Sequence, residues 1–135
     1  MHVGIVGPRL ARDTELLARL SGTHLVTISH SRDAFAGLAG LAAMALFDVL
    51  VLEANAGRDD LTHLVAHLRQ QDPQLTLVLV DGGLTQLEIA ELFRLGVADY
   101  FATPWNDALL AERIDVLAMR HRVGTFNATT TGEHT

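Results

Sequence analysis

Three sets of residues have types and spacing that chemistry could use. Glu53 closes the run Asp48-Val49-Leu50-Val51-Leu52-Glu53, and Asp81 follows the run Leu75 to Val80. If the two lie across neighbouring strand ends, one carboxylate raises the proton affinity of the other, and such a pair can do acid–base work. No nucleophile accompanies them. His63 and His67 stand at i and i+4, a spacing that can put two imidazoles on one metal. No Glu adjoins them in the His-Glu-x-x-His manner and no third ligand is evident, so a solvated surface pair is the expectation. Val6-Gly7-Pro8 invites a nucleotide-loop reading, but the chain has neither Gly-x-Gly-x-x-Gly nor Gly-x-x-x-x-Gly-Lys there. A tight strand-to-helix turn explains it without a ligand. There is no cysteine, and all ten basic residues are arginine. Thiol nucleophiles, cysteine metal sites and any mechanism needing a lysine ammonium are therefore excluded.

Short apolar runs that could hold these residues alternate with segments of helical period. Val3 to Val6 is a β-type run ending at Gly7-Pro8. Leu10, Leu16, Leu17 and Leu20 follow at helical spacing and stop at Ser21-Gly22. Leu25 to Ile28 is a second short run. Ser31 or Asp33 can cap a helix carrying Phe35, Leu38, Leu41 and Met44. Asp48 to Leu52 has no polar alternation, as expected of a strand buried on both faces. Asn55 to Asp60 reads as a turn. Leu61, Leu64, Val65 and Leu68 form an apolar stripe ended by Asp72-Pro73. Leu75 to Val80 is the fourth run. Thr85 to Glu88 has capping-box form and opens a helix ending at Gly96. Val97 to Phe101 is the fifth run, and Asn106 can cap a last helix reaching about Arg122.

Five strands alternating with five helices predict an α/β fold: a five-stranded parallel sheet with helices on both faces, in flavodoxin-like (βα)5 order. The functional crevice of such a sheet lies at the C-terminal ends of its strands. The 135 residues fit one domain, read as 1–122, with 123–135 as a polar tail or the start of a linker. A hydrophobic fraction of 49% argues for a folded core, and a net charge of −6 disfavours direct contact with nucleic acid. The N-terminus lacks the basic-then-apolar form of a signal peptide. The apolar stretch from Leu38 to Val51 is broken by Gly40 and Asp48, so no membrane span is expected. These features fit a cytoplasmic protein.

The stretch Gly96-Val97-Ala98-Asp99-Tyr100-Phe101-Ala102-Thr103-Pro104-Trp105 resembles the fifth strand of response-regulator receiver (CheY-like) domains. The family pattern there is Gly-Ala-x-x-Tyr-x-x-Lys-Pro-Phe. Asp48 to Glu53 resembles the third strand, which in the family ends in the phosphoacceptor aspartate. The resemblance covers roughly residues 2 to 122. It implies a two-component signalling or transcription-regulator module in which an aspartate attacks phosphorus. Two acidic residues after the first strand help hold Mg²⁺, and a Thr or Ser and a Lys grip the phosphoryl oxygens. This chain departs from that pattern at each position. Glu53 stands at the phosphoacceptor, Gly7 and Pro8 about where the acidic pair would be, Asp81 at the Thr/Ser and Thr103 at the Lys. Tyr100 matches the switch aromatic, and Thr103-Pro104 matches a step that is often cis in such domains.

The resemblance with these departures implies a pseudo-receiver: no phosphoryl transfer, no metal, no cofactor and no enzymatic activity. Glu53 could mimic a phosphoaspartate, but a solvated carboxylate at a strand end is the expectation. Partners are expected on the face of the fourth helix, fifth strand and fifth helix, either a partner protein or a second copy. Leu84, Leu87, Ile89, Leu92 and Phe93 exceed what one core-facing stripe needs, and Glu88, Glu91, Arg94, Asp99, Glu112, Arg113 and Asp115 are interspersed or nearby. An output domain could follow the tail. The alternative is a flavodoxin-like ligand-binding or catalytic domain using the crevice near Gly7, Glu53 and Asp81.

Overall fold

A computed structural model describes residues 1–30, 47–54, 61–80 and 83–134, with side chains as far as His121. The strands are β1 (His2–Val6), β2 (Leu25–Ser29), β3 (Val49–Glu53), β4 (Thr76–Val80) and β5 (Asp99–Phe101). The helices are α1 (Pro8–Arg12), α2 (Thr14–Ser21), α3 (Leu61–Gln71), α4 (Gln86–Arg94) and α5 (Asp107–His134). All neighbouring strands pair in parallel, in the order β2-β1-β3-β4-β5. This is the predicted flavodoxin-like sheet. The chain moves outward from β1 to β2 and then returns to β3 on the other side, so the switch point lies between β1 and β3. The helix expected after Ser31 and the turn from Asn55 to Asp60 lie outside the described residues.

β3 shows why the apolar run carries no polar alternation. Its five residues are all buried. Leu50 and Leu52 join one core with Leu61, Val65, Leu68 and Leu92, beneath α3 and α4. Val49 and Val51 join the other with Leu10, Leu16, Leu20, Leu110 and Ile114, beneath α1, α2 and α5. Each such aliphatic side chain contributes roughly 1.5–3 kcal/mol by burial. The two-residue period of the strand then sends Glu53 to the same side as Val49 and Val51.

The first helix differs from the single element expected. Asp13 leaves helical geometry at φ −80°, ψ 85°, ending α1. Its carboxylate accepts the Leu16 N–H at 3.1 Å, capping α2. An Asp is a better helix start than a helix interior, so the break is a local preference that the leucine spacing concealed. The other starts agree with the sequence. Thr85 and Glu88 form both halves of a capping box at α4, and Asn106 accepts the Leu109 N–H at 3.1 Å at the start of α5. The backbone of α5 continues past the expected end near Arg122 to His134. No proline interrupts this stretch, and isolated glycines weaken a helix without stopping it.

Two long-range ties hold the layers. Arg69 on α3 donates to the carbonyls of Pro73, Leu95 and Gly96, joining α3 to the turn after α4, where Gly96 adopts φ +99°. His24, in the turn before β2, bonds Asp115 on α5 at 2.5 Å through Nε2.

Candidate functional site

The switch point is flanked by Gly7, just after β1, and Glu53, the last residue of β3. Gly7 adopts φ 143°, ψ 153°, a region essentially reserved for glycine. The reason is close approach. A Cβ on Gly7 would stand 2.6 Å from the Cβ, Cγ and Cδ of Glu53. The Glu53 side chain therefore lies directly on the Gly7 backbone.

Gly7 and Pro8 begin α1 with no capping side chain. The first turn of a helix presents N–H groups that have no partner within the helix. Glu53 supplies one from across the sheet, since its Oε1 accepts the Leu10 N–H at 2.5 Å. A carboxylate at a helix N-terminus is favoured by both the charge-assisted bond and the orientation of the peptide dipoles. Glu53 is only 1% exposed, which corrects the expectation of a solvated carboxylate. The extra methylene of Glu over Asp lets the carboxylate reach α1, and burial follows from that reach. Asp81 lies outside the described residues, so the expected juxtaposition of Glu53 and Asp81 does too.

The other positions implied by the resemblance fall around the same end of the sheet. Pro8 is exposed at the first position of α1. Thr103 is exposed in the loop after β5, and the Thr103–Pro104 bond is cis, as expected. Tyr100 is half-buried against the α3–α4 core. Mg²⁺ needs several oxygen ligands around an open centre. Here a glycine and a proline stand where two carboxylates would be, and the Glu53 side chain is folded onto that turn. Among the described residues no group of three His, Asp or Glu side chains is arranged to hold a metal. The described residues do not fit the cation. His63 and His67 are both exposed on α3, away from its buried stripe of Leu61, Val65 and Leu68.

A second feature of this end was not legible in the sequence. The Trp105 indole N–H donates to Asp13 Oδ2 and to Asp107 Oδ1, each at 3.0 Å. The three residues line a small cleft of about 230 Å³ with Arg9, Thr103 and Pro104. Asp13 and Asp107 hydrogen-bond each other, which with burial and the Asp13 charge pushes the Asp107 carboxyl up to about 6. Burial also acts to raise Asp13, but hydrogen bonds from Asp107, the Leu16 N–H and Trp105 outweigh it and hold Asp13 below the ordinary carboxylate value.

The face of α4, β5 and α5 leaves large apolar side chains uncovered. Leu87 is 84% exposed and Leu109 57%, with Phe93, Val116 and Met119 also exposed. Glu88, Glu91, Arg94 and Glu112 are exposed around them. Arg113 Nε donates to Asp99 Oδ2 at 2.8 Å, both partly buried. A shallow cleft of about 380 Å³ is lined by Phe101, Leu109, Glu112, Arg113 and Val116. Among the described residues, no helix is long and apolar enough to cross a membrane.

The chain is similar to a CheY-like response-regulator receiver domain protein from Methanospirillum hungatei, with a TM-score of 0.74, 17% identity, and 91% of this chain and 97% of that one covered. It is similar to the signal receiver domain of an HD domain-containing protein from Pseudomonas fluorescens, with a TM-score of 0.74, 20% identity and coverage of 92% and 90%. A pilus assembly-related protein from Burkholderia pseudomallei aligns with a TM-score of 0.72, 21% identity and coverage of 88% and 90%. No protein-family model and no curated protein matches the sequence. The fold is that of the receiver domains of two-component response regulators.

Proposed function

We propose that the chain is a pseudo-receiver, a module of a two-component-type signalling or transcription regulator that acts by protein–protein contact without aspartyl phosphorylation. The observation that carries this reading is Glu53. At the phosphoacceptor position stands a buried carboxylate committed to the Leu10 N–H over the backbone of Gly7. A nucleophile must reach the incoming phosphorus, and a phosphoryl group needs cations around it. Lysine is absent from the chain, and Gly7 and Pro8 stand in place of the acidic pair. The same burial counts against a ligand or catalytic site built on Glu53.

The docking surface in this reading is the α4–β5–α5 face, and its occupant is a second copy of the chain. Leu87, Phe93, Leu109, Val116 and Met119 supply exposed apolar area. Glu91 and Glu112 stand on the same face as Arg94. A two-fold interface sets such a mixed patch against its own copy, so acid can meet base. Light scattering on the whole chain at about 100 μM should give the mass of a dimer, a concentration at which any Kd of about 1 μM or tighter leaves little monomer. Leu87→Glu combined with Leu109→Glu changes only exposed positions and should return a monomer with an unchanged melting temperature. A monomeric wild type removes self-association, and a dimer untouched by the double variant moves the interface elsewhere.

The similarity to the Burkholderia pilus assembly-related protein supports a second setting for the same module. There the receiver fold would serve as a docking part of an assembly machine rather than of a transcription regulator.

A further inference from the structure

Trp105 is the only tryptophan in the chain, and its single N–H is shared between two carboxyl groups from distant parts of the sequence. Asp13 belongs to the α1–α2 junction and Asp107 opens α5. Both oxygens lie 3.0 Å from the indole nitrogen, so the two carboxyl groups meet at one donor. One N–H cannot satisfy two carboxylates held this close, whereas a proton on one of them relieves their repulsion and supplies a second donor. We propose that Asp13, Asp107 and Trp105 form a proton-operated latch tying the α1–α2 junction to the start of α5, closed when the pair carries one proton and released when both groups ionise.

The proton has a defined seat. Asp13 accepts the Leu16 N–H and the Trp105 N–H, both of which favour its charged form. Asp107 is accordingly the member that keeps the proton, and its carboxyl is pushed up to about 6. The surroundings are mixed. Arg9 of α1 lines the same cleft, while Glu15 in the first turn of α2 adds to the repulsion on Asp107. The β5–α5 loop contributes Thr103 and Pro104, which carry no charge, and among the described residues no histidine lines the cleft. Above the titration, Trp105 has one N–H for two anions, and the repulsion between them acts across the junction it closes. Because α5 begins at Asp107, the proton controls how that helix is seated. The latch stands whether or not the α4–β5–α5 face docks a second copy.

Trp105 reports on its own latch. Tryptophan emission of the whole chain, recorded from pH 3 to 8.5, should shift to longer wavelength in one step with a midpoint near 6. Asp107→Asn keeps a hydrogen-bonding group beside Asp13 and removes the titrating charge. It should abolish the step and retain the low-pH spectrum at pH 8. Asp13→Asn, whose new side chain also caps helices well, should move the midpoint down to the ordinary carboxylate range of about 4. A carboxyl raised in the folded state stabilises the fold only while it is protonated. The Asp107 contribution is fully present below its ordinary value and is lost as pH rises through about 6. Asp107→Asn should therefore melt above wild type at pH 8, by about 3 °C on the scale expected of a domain this size, with the gap narrowing as pH falls from 6 towards the ordinary carboxylate value. Emission that does not titrate between pH 5 and 7.5 overturns the latch. So does a step that persists unchanged in both Asn variants, since it would then belong to another group.

Discussion

Gly7→Ala is expected to destabilise the domain by about 3 kcal/mol or more. Two causes add. The backbone at φ 143°, ψ 153° is strained for any residue with a Cβ. The new methyl would also stand 2.6 Å from three carbons of Glu53, a side chain that is buried and bonded and so has little room to withdraw. In thermal unfolding this corresponds to a drop of roughly 10 °C for a chain of this length. Because the clash needs Glu53, the double variant Gly7→Ala, Glu53→Ala should cost less than the sum of the two single changes. Additive losses would mean that Glu53 does not rest on Gly7.

Glu53→Ala is expected to cost about 2–4 kcal/mol, since it empties a buried site and leaves the Leu10 N–H without its acceptor. Glu53→Gln keeps a carbonyl oxygen at the same reach and should cost only about 1 kcal/mol, the difference between a charge-assisted and a neutral bond. Glu53→Asp is the informative member of the series. It restores the residue type that resembles the receiver pattern, yet it is one methylene too short to cap α1. It should therefore be less stable than Glu53→Gln, although it keeps the charge. Chemical denaturation of the three variants gives the order directly. If Glu53→Asp proved as stable as wild type, the capping role would be wrong.

The elements that position this site were legible because they rest on short-range pattern. The uninterrupted run before Glu53 announced a strand buried on both faces, and β3 is buried throughout. The Thr85–Glu88 and Asn106 signals are local hydrogen bonds written into neighbouring residues, and both form. The contacts of Glu53 were not legible, because its partner is a backbone N–H, which every residue but proline possesses. One signal pointed that way. A helix that starts Gly7-Pro8 has no side chain to cap it, so an acceptor had to come from elsewhere. The Trp105 cluster joins positions 92 residues apart, a separation that no periodicity spans. Asp13 was hidden for a different reason. Leu10, Leu16, Leu17 and Leu20 suit a single helix as well as two, and only the capping bond to Leu16 decides between them.

The exposed apolar residues of α4 illustrate a limit of pattern. Leu87 and Phe93 exceeded the core-facing stripe, and they could have packed on α5 or faced solvent. They face solvent, and so add apolar area to the proposed docking surface.

In the proposed pseudo-receiver, the end of β3 carries a structural carboxylate in place of phosphoryl chemistry. The most direct test is to incubate the whole chain with acetyl phosphate and Mg²⁺ and measure the intact mass. The expected result is the mass of the unmodified chain, because Glu53 is held on the Leu10 N–H and Gly7 and Pro8 stand where the metal-binding carboxylates would be. A stoichiometric phosphoryl adduct that disappears in Glu53→Gln would contradict it.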